Sequence, residues 1–570
     1  MVSKIAIDAA ASETASNDIA PEQRSYEARR VAYSPQIPAE FKATDIVDEW
    51  ASSAPEALAL ISLNAAGELV DTRTAAELVA DSCAVAAGLL KLGIKKGERI
   101  FIMLPRVSAW YAAMLGAMRI GAVPMPGPNM LTAKDIGYRI AKGRAVAAIT
   151  DLAGAAKLDA APLGEDTLRH RIAWRGDATD VPAGWLDFAD LLATADLPAS
   201  FEPLAATDPL LIYFTSGTVS HPKMVEHAQS YALGHVATAR FWHDLGPGDR
   251  HWTVSDTGWA KAAWGGLFGQ WHERATVVQV ALAKPDTNLI LGIIARHKIT
   301  SFCAPPTLYR QLILGDFSPF DLSALKHCTS AGEPLNPEVI RVWEEKTGLR
   351  IYDGYGQTET TVLVANFPGL PIRPGSMGKP VPGYDVDIRD EDGSRIADGV
   401  AGAIAVRTEP HPVGLFQGYF EDPDATASRF QNGWYFTGDR GVRDPDGYIW
   451  FEGRDDDVIT SSAYRIGPFE VESALLEHPA VAEAGVVGRP DPLRTEIVCA
   501  FVILTPGHEG SEALTAELQD HVKRTTAPYK YPREIRYVST LPKTISGKIR
   551  RTELRAELIA EMAAEKKETE

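Results

Sequence analysis

Thr215, Ser216, Gly217 and Thr218 follow directly on an apolar, strand-prone run, Leu210 to Phe214, and Lys223 stands shortly after them. A strand that breaks into a small hydroxylated loop can turn hydroxyls and backbone N–H groups onto anionic oxygen, with a lysine adding charge. Polyphosphate binding is the chemistry such a loop offers. The G-x-x-x-x-G-K-[ST] order of a Walker loop is absent from the segment, so this is another kind of phosphate cradle or a plain surface turn.

More candidate groups follow in order. Residues 330–334 read Ser-Ala-Gly-Glu-Pro, 352–360 read Tyr-Asp-Gly-Tyr-Gly-Gln-Thr-Glu-Thr, and 435–439 read Tyr-Phe-Thr-Gly-Asp. Residues 453–468 read Gly-Arg-Asp-Asp-Asp-Val-Ile-Thr-Ser-Ser-Ala-Tyr-Arg-Ile-Gly-Pro, and 542–551 read Pro-Lys-Thr-Ile-Ser-Gly-Lys-Ile-Arg-Arg. Taken together these motifs resemble the adenylate-forming enzymes, which include peptide-synthetase adenylation domains and luciferases. Ser-Asp-Thr-Gly-Trp (255–259), Ala-Pro-Pro-Thr (304–307) and Ala-Pro-Tyr-Lys-Tyr-Pro-Arg (527–533) bring the resemblance nearest to the AMP-forming, medium-chain acyl-CoA synthetases. It extends over almost the whole chain from about residue 40.

The resemblance implies activation of a carboxylic acid with ATP to acyl-AMP and pyrophosphate, then acyl transfer to coenzyme A. Two anions must meet in the first step, so catalysis rests on positioning and electrostatic stabilisation. By resemblance Thr215, Ser216, Gly217, Thr218 and Lys223 cradle the β- and γ-phosphates, Thr358 meets the α-phosphate, and Glu359 holds Mg²⁺, a hard cation suited to oxygen ligands. Gly332, Glu333 and Pro334 form a turn against which a flat adenine can lie, with Asp353, Gly354 and Tyr355 beside it; Asp439 and Arg454 match ribose-binding positions. Lys548 would bridge the carboxylate and ATP oxygens. Asp456 matches the swivel position of the family. Trp242, Trp259, Lys261 and Trp264 fall in the segment that lines the acyl site of relatives, and Ser462, Ala463, Tyr464, Arg465, Arg494 and Lys530 match positions that receive CoA. For the indoles at 242 and 264 the alternative role is core filling.

Composition fits this reading without proving it. Apolar residues make up 45% of the 570-residue chain and charged ones 23%, as in an ordinary soluble globular protein, and the length calls for at least two domains. The net charge of −18 argues against nonspecific nucleic-acid binding. The late C-terminal region is locally basic, however, through Lys523, Arg524, Lys530, Arg533, Arg536, Lys543, Lys548, Arg550 and Arg551. Cys83, Cys303, Cys328 and Cys499 are scattered without C-x-x-C spacing, which suggests reduced thiols and a cytoplasmic setting. The longest apolar run, about 107–118, is too short to span a bilayer. The expected partner is a small-molecule acid; oligomeric state is left open, a homodimer included.

Strand-like runs at 99–104, 146–150, 210–214, 277–280, 301–304 and 325–329 alternate with helical spacing at 75–92 and 109–118, which predicts an α/β fold with mainly parallel sheets. From about Gly375 the texture turns to short strands and Gly/Pro/Asp turns, predicting a β-rich lobe. We therefore expect a loosely held arm over 1–35, a large domain of α/β subdomains over 36–455, and a small, mobile α+β domain over 456–570, hinged near 453–457. Two departures from the family pattern stand out. Ser220, followed by His221, replaces a usual loop glycine, and Ala463 replaces the glycine of Ser-Gly-Tyr-Arg. Two rival readings are an acyl-adenylate former that loads a carrier protein's phosphopantetheine and a non-catalytic acyl-nucleotide sensor.

Overall fold

The computed structural model describes residues 26, 28, 33, 37–164, 167–194, 196–215, 222–282, 286–454, 457–461, 464–491, 493–543 and 548–569. Six strands run parallel in the order Leu58–Leu63, Thr276–Val280, Arg250–Thr253, Ser301–Ala304, His327–Ala331 and Ile351–Gly356. The helices Thr287–Arg296, Pro306–Leu312 and Pro337–Thr347 lie between successive members of the set. Thr276–Val280, Ser301–Ala304 and His327–Ala331 are buried along their whole length, as strands covered on both faces must be. Cys303 and Cys328 lie inside this layer, as expected of inert core thiols.

Beyond Ile351–Gly356 the direction reverses. Val362–Ala365, Ser376–Pro380, Ile449–Arg454, Trp434–Arg443, Ala401–Arg407 and Val386–Arg389 continue the same sheet antiparallel. The β-rich lobe is thus an extension of the main sheet. A second, five-stranded parallel sheet is built from Val123–Pro126, Arg99–Met103, Ala145–Asp151, His170–Trp174 and Leu186–Asp187. The strand before the hydroxylated loop, Pro209–Phe214, belongs to neither. It pairs antiparallel with Met224–Ala228, which pairs in turn with Gly418–Tyr419.

One turn shows how local sequence sets the site. The strand expected at 325–329 is His327–Ala331, shifted so that it ends at Gly332. Gly332 has φ +109°, a conformation open to glycine and strained for other residues. Four residues on, Asn336 accepts from the Glu338 N–H at 2.7 Å, Pro337 opens the helix, and Gly348 closes it in the left-handed region. The 332–336 turn is therefore held from both sides.

The small C-terminal domain has its own sheet, Tyr464–Ile466, Ile459–Ser461, Thr495–Leu504 and Val481–Asp491, with Glu534–Tyr537 alongside. Helices Pro468–Leu476 and Glu512–Thr525 bury Val471, Leu475, Leu518 and Val522 against it. The α+β expectation holds. Of the N-terminal arm, Tyr26 and Tyr33 are docked rather than loose. Tyr26 is buried and donates to Pro380 O at 2.7 Å, and Tyr33 meets Phe241 edge-on at 5.4 Å. Among the described residues no helix is long and apolar enough to cross a membrane.

Candidate active site

In open α/β sheets ligands gather at the carboxyl ends of the strands, and the candidate residues collect there. Thr215 closes the neck of the hydroxylated loop: its N–H donates to Lys223 O at 2.9 Å, and the Lys223 N–H donates to Thr215 Oγ1 at 3.2 Å. Ser216, Gly217 and Thr218, with Ser220 and His221, lie outside the described residues. The Lys223 ammonium sits over the Tyr419 ring, 4.6 Å from its centre, and Tyr419 donates to Glu359 Oε1 at 2.8 Å. Tyr419 reaches that spot because it pairs with Val225. Two residues further on, His227 Nε2 bonds Thr358 O at 2.8 Å. Burial pushes His227 down to about 3, so the ring is neutral and Nε2 is the donor. Lys223, Thr358 and Glu359 are thereby gathered into one corner.

Glu359 fits a magnesium site. Burial raises its pKa, with the Tyr419 hydroxyl opposing, so an adjacent cation would restore the carboxylate. Among the described residues no cluster of three or more His, Cys, Asp or Glu is placed to hold a metal.

Asp439 anchors the opposite wall. Tyr355 Oη and Gln357 Nε2 each donate to its Oδ2 at 2.6 Å. Gln357 is fixed in turn by Thr437 O at 3.0 Å and by the Tyr435 hydroxyl at 2.9 Å. Asp439 lies opposite Arg454 on paired strands. Burial raises its pKa while Tyr355, Arg454 and Lys548 draw it down. Across the turn, a methyl at Gly332 would meet no atom within 4 Å, so that backbone faces open space. Glu333 accepts from Thr307 at 3.0 Å and pairs with Arg310 at 3.3 Å, and Pro334 follows. Asp353 is buried with Oδ1 unpartnered, and burial holds its carboxyl well above the usual range. The side-chain position of Gly354 is taken by the Trp242 ring, 2.6 Å from where a Cβ would stand.

Lys548 enters this cleft from the small domain, within electrostatic reach of Glu333, Asp439, Arg454 and Glu359. Desolvation lowers its pKa although solvent still reaches the residue. Asp456 lies outside the described residues.

The remaining candidates divide. Trp242 is fully buried, with its indole N–H donated to Tyr352 O at 3.1 Å. It packs in the core beneath Gly354. Trp264 is buried with its N–H unpartnered and its ring against Gly356. Trp259 caps the helix Ala260–Gly266, and Lys261 in its first turn donates to Ala331 O at 2.8 Å. Of the CoA group, Ser462, Ala463 and the Arg465 side chain lie outside the described residues. Tyr464 is exposed and stacks on Tyr529 at 4.1 Å. Lys530 is paired with Glu470. Arg494 ends an exposed turn next to Thr495, which pairs with Ser461. Sequence reasoning missed Tyr419, His227, Gln357 and Tyr435. Gln357 and Tyr435 lay inside quoted motifs, whereas Tyr419 and His227 carry no signal until the strands are paired.

The AMP-binding enzyme family model matches residues 47–420, and the AMP-binding enzyme C-terminal domain matches residues 470–548. Acyl-coenzyme A synthetase ACSM3, mitochondrial, of Mus musculus is 41% identical over 549 residues, 93% of each chain. The human acyl-coenzyme A synthetase ACSM5, mitochondrial, is 45% identical over 490 residues, 85% of this chain and 82% of that one. Among solved structures, the anthranilate CoA ligase AuaEII in complex with anthranoyl-AMP superposes with a TM-score of 0.81 at 31% identity, over 92% of this chain and 98% of that one. The cytoplasmic expectation is overturned, because both of these synthetases carry a mitochondrial location in their names. Free thiols separate reducing from oxidising surroundings and cannot separate one reducing compartment from another. The chain belongs to the AMP-binding enzymes and is an AMP-forming acyl-CoA synthetase, using ATP, Mg²⁺ and CoA to turn a small carboxylic acid into its thioester by way of an acyl-adenylate.

Proposed function

We propose that the cleft between Asp439 and Lys548 is where the acid and ATP react, with the roles divided as follows. Thr215 and Lys223, with Ser216, Gly217 and Thr218, hold the outer phosphates, and Thr358 meets the α-phosphate. Glu359 would hold Mg²⁺, which when bound neutralises charge on phosphate oxygen. Asp439 and Arg454 take the ribose hydroxyls. Adenine lies on the 332–334 turn beside Asp353, Gly354 and Tyr355. Trp259, Lys261 and Trp264 frame the acyl chain above the Trp242 floor. The observation that carries this reading is that Lys548, from the small domain, lies within reach of Asp439 and Glu333 on the large one.

The two halves of the reaction then call on different faces of the small domain. Lys548 serves adenylation, where a carboxylate must approach a phosphate and a compact cation offsets their repulsion. Ser462, Ala463, Tyr464, Arg465, Arg494 and Lys530 serve CoA, whose phosphates suit arginine and lysine. A hinge at 453–457, centred on Asp456, separates domains at 36–455 and 456–570 and exchanges the faces. ATP–pyrophosphate exchange over a panel of acids, followed by CoA-dependent thioester detection, tests the scheme. Pyrophosphate exchange with at least one acid, and thioester only when CoA is added, is the expected result; exchange with no acid would refute it.

A further inference from the structure

Tyr419 touches two of the groups assigned to the phosphate end of ATP. Its hydroxyl donates to Glu359 Oε1 at 2.8 Å, and the Lys223 ammonium lies over its ring, 4.6 Å from the centre. One side chain thus holds a carboxylate at its tip and a cation on its face. The tyrosine is buried, whereas Glu359 and Lys223 both keep part of their surface open to solvent. The two charged groups can therefore meet a ligand while the ring behind them cannot shift freely.

The backbone under Tyr419 is fixed by the protein itself. Its N–H donates to Thr426 Oγ1 at 2.9 Å, and Phe420 N–H donates to Met224 O at 2.8 Å. On the other side, Gln417 N–H donates to Glu226 O at 2.9 Å and Phe416 N–H to Glu359 O at 2.8 Å. The Phe416 ring stands edge-on to Tyr419 at 5.1 Å. Lys223 is tied through its own backbone to Thr215. What remains loose in this corner is the pair of long side chains, Glu359 and Lys223, whose rotamer freedom is costly to remove. A charge-assisted hydrogen bond restricts the first and a cation–π contact the second.

We propose that Tyr419 is the positioning residue of the phosphate corner. Its hydroxyl aims the Glu359 carboxylate at Mg²⁺, and its ring aims the Lys223 ammonium at the outer phosphates. Metal carboxylate and phosphate lysine are thereby set at a fixed separation to meet one polyphosphate. The two grips are separable, since the hydroxyl serves only the carboxylate and the ring face only the lysine. Tyr419 itself touches no substrate atom and moves no proton. The inference rests on the assignments of Glu359 to Mg²⁺ and Lys223 to the outer phosphates proposed above.

The alternative is a tyrosine that only fills the space beside Phe416. ATP binding is measured by calorimetry on the full chain, once with Mg²⁺ and once with EDTA, so that the metal's share is read without turnover. Tyr419→Phe keeps the ring and its packing and removes the hydroxyl. It should weaken ATP binding about 3- to 10-fold with Mg²⁺ and by less than about twofold in EDTA. Tyr419→Leu removes both grips and should also weaken binding in EDTA, by about 3- to 10-fold. Lys223→Met added to Tyr419→Leu should then cost less in EDTA than Lys223→Met costs the parent. Provided that Glu359→Gln loses the gain from Mg²⁺, a Tyr419→Phe protein that keeps it, or that weakens equally in both solutions, overturns this inference alone. Equal EDTA affinities for Tyr419→Phe and Tyr419→Leu likewise overturn it. Glu359→Gln with the parental gain from Mg²⁺, or Lys223→Met with parental affinity in EDTA, overturns the assignment beneath, and the positioning role falls with it.

Discussion

Asp439 and Lys548 face one cleft, and their supports differ in kind. Asp439 lies on a paired strand, takes two hydrogen bonds at 2.6 Å, and is backed by Thr437 and Tyr435 through Gln357. Lys548 stands beside an isolated bridge, Lys543 to Ile549, and is exposed. The firm anchor in its neighbourhood is Arg551, which joins Glu472 at 2.7 Å and Asp457 at 3.4 Å; Arg555 adds a contact to Asp457 at 3.3 Å. A wall built this way has its hydrogen-bonding groups already aimed and needs no ordering when a ligand arrives. A cation carried on a separate domain can be brought in for one half-reaction and withdrawn for the other. The difference makes the two sides of the cleft fail differently when mutated.

The largest effect should come from the anchor. Glu472 is almost wholly buried; burial raises its pKa and Arg551 opposes that. Arg551→Ala leaves it without its cation, which should cost the small domain about 3–5 kcal/mol. Hydrogen exchange should quicken across residues 459–504 while the main parallel sheet keeps its protection. If the small domain exchanged as slowly as in the parent, Arg551 would not be what anchors it.

Next in size is the delivered charge. Lys548→Ala should slow adenylation by about 30- to 1000-fold, equivalent to about 2–4 kcal/mol, and leave thioester formation from supplied acyl-AMP near the parental rate. Equal losses in both half-reactions would assign Lys548 to folding or to a shared step.

These two regions also differ in how far the sequence revealed them. Ser301–Ala304 lies where its apolar run put it, because a strand buried on both faces reads as a continuous apolar stretch. Met224–Ala228 and Trp434–Arg443 were not legible. Glu226 and His227 interrupt the first, glycines and charges interrupt the second, and pairing with distant strands decides both. Glu359, Asp439 and Lys548 were singled out by resemblance to family motifs. Their supports were not. Tyr419 reaches Glu359 only because Gly418–Tyr419 pairs beside Met224–Ala228. Trp242, which the sequence offered either as acyl lining or as core, is fully buried.

A moderate effect is expected within the wall. Asp439→Ala leaves the Tyr355 hydroxyl and the Gln357 amide without their shared acceptor, a cost of about 1–3 kcal/mol. It should appear as a raised ATP KM and a lower melting temperature of the large domain, with small-domain exchange unchanged. A parental ATP KM would remove Asp439 from the ribose site.

The smallest effect tests whether adenine uses the open face at Gly332. An alanine there must hold φ near +109°, at a cost of about 1–3 kcal/mol. Its methyl would project into space that the protein leaves unfilled. Strain alone could impair the enzyme, so a matched control is needed. Gly399 has φ +82° and likewise nothing within 4 Å of an added methyl, and it lies in an exposed loop whose N–H donates to Arg443 O at 2.8 Å. Both substitutions should lower the melting temperature modestly. Only Gly332→Ala should raise ATP KM, by about 2- to 10-fold, because only there does the methyl occupy a surface meant for a flat ring. Matching ATP KM values in the two variants would mean that strain explains everything at Gly332 and that adenine binds against another part of the wall.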